Sequence, residues 1–493
     1  MASSSSEVSR FFKHSTIYTV GNILNRVGAF ILLPLYTRYL TPTEYGTLEL
    51  FYVFSAIFSG ILSVGIAHAT LRFYFDYKEQ SDRNSVVSTN LMASFVISAA
   101  GAALAWAFTE PLVKIVLGTQ PPRFAFDLIL ATLVLELSTQ VCLAYLRALE
   151  RSILFVAVVL GKLVVQCVAN TVLVMHYEAG VDGVLAGNGL AVLSGWLFLV
   201  IFTLRHVGLR FETAKLMPVL RYSLPFLYTT IVSVVVANLD RFLITKLLSL
   251  EALGIYALAS KFAKLISDLI GEPFARAYGS FRYTIMKRPD AAQIQVRVVR
   301  IVCCLLAFVC LGLIFFTGDV LHLMSDAKFW PAAQLMPVLA VAASISTISY
   351  AFQTGILFKK NTGDLFRVSM KQNALGVLAS LTLMPLFGVN GAVASVLIQA
   401  VAGAWLTHRA SQRYFPVEYE TRRLLALCGC GLSVYLLSIP LQWAPAAVAF
   451  ATKLVLLAVF VWLLLRFDVV TEEERAVLRE KGSGLILRWR GSH

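Results

Sequence analysis

The sequence predicts an all-α polytopic membrane protein of about 14 transmembrane helices, arranged as two parallel-repeat six-helix bundles around a central cavity plus two C-terminal helices. Three observations predict it. First, the 493 residues are 58% apolar and only 14% charged, with a mean hydropathy of +0.75, too apolar for a water-soluble enzyme. Second, the apolar residues fall in runs of about 20 to 26, the length that crosses roughly 30 Å of hydrocarbon. Third, two segments recur at a single offset of 208 positions. LYTRYLTPTEYG (Leu35 to Gly46) aligns with LITKLLSLEALG (Leu243 to Gly254), and VDGVLA (Val181 to Ala186) with VNGAVA (Val389 to Ala394). A shared offset implies a duplicated unit of about six spans, and an even number of spans makes the two copies parallel.

Taken in order, the spans are expected at 15–38, 47–71, 86–108, 124–146, 152–176, 183–204, 217–239, 253–275, 298–317, 332–357, 368–387, 390–408, 424–440 and 446–465. This divides the chain into a cytoplasmic N-terminus (1–14), an N-terminal six-helix bundle (15–204), a cytoplasmic linker (205–216) and a C-terminal six-helix bundle (217–408). A second cytoplasmic linker (409–423), two extra transmembrane helices (424–465) and a cytoplasmic tail (466–493) complete it. The polar start MASSSSEVSRFFKHS leads straight into span 1 without a small-residue cleavage site, so no removable signal peptide is expected. Pro34, Pro225, Pro273, Pro337 and Pro385 interrupt spans or their ends and are candidate hinges.

The net charge of +14 reports topology rather than nucleic-acid binding, because the basic residues are dispersed among short loops. With the N-terminus cytoplasmic, and residues near a span end assigned to the nearer side, 31 Lys and Arg lie on the cytoplasmic side. Six lie on the far side and 5 within spans. Both termini are therefore expected in the cytoplasm. No loop exceeds about 22 residues, which leaves no room for a soluble catalytic domain. All seven cysteines lie in apolar segments, and the closest pair, Cys428 and Cys430, has no neighbouring His or Asp. They read as buried thiols, neither disulfides nor metal ligands. No GxxxxGK[ST] pattern is present, and no nucleotide, metal or other cofactor is expected.

The candidate site is organised around Leu253 to Arg276, LGIYALASKFAKLISDLIGEPFAR. At about 100° per residue, Lys261, Lys264, Asp268 and Glu272 fall within roughly 80° and form one stripe on an otherwise apolar helix. Ionisable groups at membrane depth must face protein or a water-filled cavity, and two ammonium groups there suit an anionic passenger. The alternative is a structural network in which Lys264 bonds Asp268 one turn on. In span 1, Asn22, Asn25 and Arg26 share a face with Tyr18, and Arg26 lies about 11 residues from the cytoplasmic end, near mid-membrane. Its guanidinium can grip phosphate oxygens bidentately, or it is paired with Glu49 or Asp268.

Span 2 offers Glu49, Tyr52, Ser59, Ser63 and Thr70 as a polar stripe able to meet sugar hydroxyls. Serine and threonine hydroxyls also bond their own helix carbonyls. Glu136 and Lys162 lie at similar depths in spans 4 and 5, with Gln140, Gln166 and Asn170 on the same faces; an internal salt bridge is the favoured reading of that pair. Span 7 ends in ANLDRFLI, where Asp240 either binds a coupling cation or proton or fixes a helix end beside Arg241.

The opening FFKHSTIYTVGNILNRVGAFILLPLYTRYLTPTEYGTLEL, the central YSLPFLYTTIVSVVVANLDRFLITKLLSLEALGIYALASKFA and the VDGVLAGNG and VNGAVASV turns resemble one family. It is the polysaccharide-transporter branch (Wzx-like oligosaccharide flippases) of the multidrug/oligosaccharidyl-lipid/polysaccharide exporter superfamily, matched over nearly all of residues 10 to 465. The resemblance implies a flippase acting by alternating access. It would move an undecaprenyl-pyrophosphate-linked O-antigen or exopolysaccharide unit from the cytoplasmic to the periplasmic leaflet of a bacterial inner membrane. It also implies a basic site for the anionic head at Arg26 and at Lys261 or Lys264, and Asp240 as the coupling candidate. The implied partners are the lipid-linked oligosaccharide, membrane lipids, and a polysaccharide polymerase or other synthesis-complex proteins.

The task is physically coherent, since only the polar head must be shielded while the lipid tail stays in hydrocarbon. Three alternatives remain beside it. A lipid II flippase shares the headgroup chemistry. A multidrug exporter of the same superfamily should carry an acidic, aromatic cavity rather than Arg26, Lys261 and Lys264. A membrane-embedded polysaccharide polymerase or ligase should carry a large external loop with Arg or His.

Overall fold

The computed structural model describes residues 30–443 and 445–467, except 64, 112–122 and 360, together with positions 17, 21, 24, 28 and 469. The described chain forms two compact units, one reaching to Ile255 and including Met324–Lys328, the other comprising Tyr256–Leu323 and the residues from Phe329 onward. Every regular element among the described residues is helical. Ten helices are long and apolar enough to cross a membrane. Nine of them each hold one expected span, and the longest, Thr362–Gln412, holds two. Span 1 lies largely outside the described residues, and the helices over spans 7 and 8 are not among the ten.

The first unit contains α1 (Leu33–Tyr39), α2 (Pro42–Leu62), α3 (Ile66–Asp76), α4 (Gln80–Ala107), α5 (Arg123–Ala148), α6 (Ser152–Thr171) and α7 (Gly180–Val207). It continues through α8 (Thr213–Ala237) and α9 (Leu239–Leu247) into the start of α10 (Leu250–Ile266). α2 begins sharply because Thr41 caps it. The Glu44 amide donates to the Thr41 hydroxyl at 3.2 Å, the Thr41 amide donates to Glu44 at 2.8 Å, and Pro42 takes the first helical position, where no N–H is needed. α7 packs along both α5 and α6, and α4 along α5. Their shared core is apolar, with Ile66, Ala69, Val141, Cys142, Leu146, Leu199 and Val219 all buried.

The second unit takes in the rest of α10, then α11 (Glu272–Ile285), α12 (Ala291–Met324), α13 (Ala332–Phe352), α14 (Thr354–Phe358), α15 (Thr362–Gln412), α16 (Thr421–Ser438) and α17 (Ala446–Arg466). The two C-terminal helices are not loose appendages. Leu427, Val434, Phe460 and Leu464 share a buried cluster with Leu311 and Phe315 of α12, and Lys453 bonds Asp319 at 2.7 Å. Large apolar side chains that stay exposed, such as Leu386, Phe387 and Trp462, lie in spans where the surrounding solvent is hydrocarbon. The cysteines are free thiols, but only Cys142, Cys310 and Cys430 are buried; Cys167, Cys303 and Cys304 are half-buried and Cys428 is exposed.

The duplication is visible in backbone geometry. Gly180 and Gly388, 208 positions apart, both hold positive φ, 52° and 59°, a conformation that costs side-chain-bearing residues energy. Gly46 and Gly254 stand at the same offset and approach each other reciprocally. A Cβ on Gly46 would fall under 3.0 Å from the Leu250 carbonyl, and one on Gly254 would meet the Pro42 carbonyl equally closely. Pro42 and Leu250 are themselves 208 positions apart, so α2 and α10 cross as equivalents, backbone against backbone.

Two spans expected to be continuous are interrupted at corresponding places. Span 2 breaks between α2 and α3, where Gly65 takes φ 68°. Span 8 carries a π turn at Ser267–Gly271 just before Pro273, and the offset of 208 carries Gly65 onto Pro273. A π turn takes one residue more than an α turn, so everything after it is rotated by on the order of 100°. Span 7 ends as an α-helix at Ala237 and restarts at Leu239, with Asp240 in the first turn of α9.

Between α7 and α8 the connection is held down by α4. The Arg210 and Glu212 amides donate to Ser88 and Thr89, at 2.9 and 3.1 Å. Ser85 donates to the Glu212 carboxylate, and Lys215 bonds both Asp82 and Glu212, at 2.8 and 3.0 Å. The Ser85 hydroxyl and Lys215 together hold the Glu212 carboxyl below its ordinary value of 4.5.

Two predictions arise from this geometry. Gly46→Ala or Gly254→Ala should each destabilise the detergent-solubilised protein by at least about 2 kcal/mol in thermal unfolding, whereas Gly161→Ala and Gly312→Ala, with open space around them, should be neutral or stabilising. A depressed folded-state value means that the Glu212 contribution is present above pH 4.5 and is lost as pH falls through the lowered value. Melting measured from about pH 6 down to about pH 3 should therefore decline less steeply in Glu212→Gln than in the native chain; parallel curves would show that Glu212 carries none of the decline.

Candidate functional site

The stripe on span 8 is assembled by α10 and the π turn that follows it. Lys264 bonds Asp268 at 2.8 Å, with the lysine side chain 62% exposed and the carboxylate 16%. The pair sits where the helix widens, so the acid is supplied by the irregular turn and the base by the regular helix. Lys261 lies one turn before Lys264 and is half-buried. Glu272 stands beyond the π turn and pairs with Arg276 at 3.3 Å. Of the expected stripe, Lys261 and Lys264 lie on α10, Asp268 within the π turn and Glu272 beyond it. Chemically it is a pair of cations on one helix, with Lys264 held by the carboxylate of Asp268. An incoming anion has to compete only with Asp268 for Lys264.

Arg26, Asn22 and Asn25, the sequence-derived companions in span 1, lie outside the described residues. Glu49 is buried on α2. Tyr52, one turn on, accepts a hydrogen bond from Asn188 of α7 at 3.0 Å. The span 2 stripe is not continuous, because the break at Gly65 separates its lower half. Ser63 donates to the Gly60 carbonyl. Thr70, on α3, donates to the Ile66 carbonyl and accepts from Asn90, at 2.8 and 3.0 Å. These hydroxyls bond within the protein.

Glu136 of α5 and Lys162 of α6 form an ion pair at 2.8 Å, with side chains 32% and 20% exposed. Gln140 donates to the other carboxylate oxygen at 2.8 Å. The lysine stem runs over Gly195 of α7, where a Cβ would come within 2.6 Å of it. A few residues further along α6, Gln166 and Asn170 both donate to Asn188, at 2.7 and 3.2 Å, and Asn170 also donates to Tyr36 at 2.6 Å. The network Tyr36–Asn170–Asn188–Tyr52 thus ties α1, α2, α6 and α7 together. Tyr36 and Asn188 were not singled out by sequence; the only signal is a lone amide among the small residues of LAGNGL. Asp240 lies 3.9 Å from Arg241 in the first turn of α9, a place where a carboxylate is favoured by the helix N-terminus.

Comparison with known proteins identifies the fold and the family. Residues 11–278 match the polysaccharide biosynthesis protein family. A protein of the Lsg locus of Haemophilus influenzae Rd is 32% identical over 88 residues, which is 18% of this chain and 22% of that protein's length. Among solved structures, lipid II flippase MurJ in an inward closed conformation matches with a TM-score of 0.69 and 12% identity, over 94% of this chain and all of that one. An inward-facing multidrug resistance MATE family transporter matches with a TM-score of 0.63 and 14% identity, over 79% of this chain and 94% of its own. At these identities the likeness is one of fold. The chain is a multi-pass membrane protein with the transporter fold of MurJ and the MATE proteins, and it belongs to the polysaccharide biosynthesis protein family.

Proposed function

We propose that this protein flips an undecaprenyl-pyrophosphate-linked oligosaccharide, an O-antigen or exopolysaccharide repeat unit, from the cytoplasmic to the periplasmic leaflet of a bacterial inner membrane. The observation that carries the reading is the Lys261–Lys264–Asp268 group at the π turn of an otherwise apolar span. Charge at that depth is expensive, and two lysines one turn apart repel each other. A diphosphate headgroup is an anion that such a basic group can receive. Arg26, with Asn22 and Asn25, is the proposed second contact, gripping phosphate oxygens as a planar fork. Glu49 and Tyr52 belong to the proposed polar surroundings of the sugar.

Alternating access of the two six-helix repeats, 15–204 and 217–408, is part of the same proposal, as are cytoplasmic termini. The backbone breaks at Gly65 and Ser267–Gly271 are natural bending points for it. Asp240, beside Arg241, is the proposed site of cation or proton coupling. Family membership and the shared fold support a carrier rather than an enzyme. Lipid II flipping uses the same headgroup chemistry and differs in the sugar, so the two are separated by substrate.

The test is leaflet exposure of pyrophosphate-linked oligosaccharide in proteoliposomes. Arg26→Ala and a Lys261→Ala/Lys264→Ala double variant should each slow translocation by roughly tenfold to a hundredfold, the worth of a charge-assisted contact. Folded variants that translocate at the native rate would sink the assignment of these cations to the headgroup. Lipid II supplied in place of the oligosaccharide should move poorly; equal rates would move the reading to the lipid II alternative.

A further inference from the structure

We propose that a basic pocket at the paired ends of α15 binds the phosphate of an anionic membrane lipid, as a site separate from the span 8 stripe and independent of its reading. α15 is two helices joined at Gly388, where the backbone leaves helical geometry. The first turns of one half and the last turns of the other enclose a cavity of about 400 Å³, within the size range of small-ligand sites. Arg367 and Lys371 come from the first half, Arg409 and Arg413 from the second. Each pair is spaced i, i+4, so each helix carries two like charges one turn apart, an arrangement that costs stability unless an anion lies between them.

One carboxylate, Asp364, shares the pocket, and it is already engaged. Arg367 donates to it at 3.1 Å, Tyr414 at 2.6 Å and Asn361 at 3.3 Å. Among the described residues Lys371, Arg409 and Arg413 form no ion pair, so three positive charges are left facing the cavity rim. The floor is apolar, with Val368 buried and Leu406 half-buried. Trp405, 55% exposed, stacks under the Arg409 guanidinium at 5.4 Å, and Phe366 beside Arg367 is 65% exposed.

Depth decides between a lipid and a soluble anion. The expected spans 368–387 and 390–408 both end inside this pocket, so it sits where hydrocarbon gives way to headgroups. Exposed aromatic rings are favoured at that level. A cationic rim above an apolar floor suits a molecule with a phosphate at one end and acyl chains at the other. The positive-inside count puts this end on the cytoplasmic side, whose leaflet is the one that attracts clustered Lys and Arg.

The experiment titrates the detergent-solubilised full chain with phosphatidylglycerol, phosphatidylcholine and inorganic phosphate, reading bound lipid by native mass spectrometry and stabilisation by thermal unfolding. Phosphatidylglycerol should bind saturably. A Lys371→Gln/Arg413→Gln variant should bind it about 30-fold more weakly, the attraction expected of two charges near a membrane surface. A Lys287→Gln/Arg422→Gln variant, with the same loss of charge outside the pocket, should bind as the native chain does. Equal binding of the two lipids by the native chain would overturn the proposal whether or not any variant folds, as would undiminished binding by the pocket variant or equal weakening by the control. Phosphate alone stabilising as strongly as phosphatidylglycerol would assign the pocket to a soluble anion and overturn the lipid assignment.

Discussion

An ionised side chain inside a bilayer has to find its counter-charge within the protein, because the surrounding hydrocarbon offers none. Among the described residues, the pairs that meet that demand include Glu136 with Lys162, Lys264 with Asp268, and Asp319 with Lys453. Each fixes something different. The first joins two neighbouring helices of one unit. The third fastens a C-terminal helix to α12. The second joins residues of a single helix, across the junction between α10 and its π turn.

The same constraint explains where the helices are interrupted. A break inside hydrocarbon frees backbone groups that must be bonded again locally. The two found in spans 2 and 8 are short devices that do so, a single left-handed glycine in one and a π turn in the other. They fall near equivalent positions of the repeat, several turns beyond Gly46 and Gly254, where α2 and α10 cross at backbone contact. A crossing without side chains between the helices is a close fulcrum, and a bend a few turns beyond it moves the far half of each helix without disturbing the contact.

Most of the spans were legible because hydropathy reads long apolar runs directly, and the repeat was legible because glycines that must be glycine keep their offset. The breaks were not. FSGILSVGIAH around Gly65 reads by hydropathy as helix interior, and a π turn has no compositional signature. Glu136 and Lys162 could be paired from sequence because opposite charges at one depth have few other partners. Asn188 could not, since its role depends on Tyr36, Tyr52 and Asn170 converging from three other helices. The pocket of Arg367, Lys371, Arg409 and Arg413 was absorbed into the count of cytoplasmic charge; only the antiparallel fold at Gly388 shows that these residues face one another.

The contrast between two of the ion pairs bears on mechanism. Glu136 and Lys162 are closed in from several sides: Gln140 takes the second carboxylate oxygen, and the lysine stem is pressed against the backbone at Gly195. Removing such a pair from its partners leaves a desolvated charge with no compensation, so it behaves as structure. Lys264 is the reverse case, with its ammonium group open while Asp268 is covered. An open cation beside a covered acid lets an anionic ligand approach from one side while the acid still balances the lysine when the ligand has gone. Carriers need both halves of that arrangement: attraction strong enough to hold the headgroup, and a resident counter-charge that makes its release affordable in hydrocarbon.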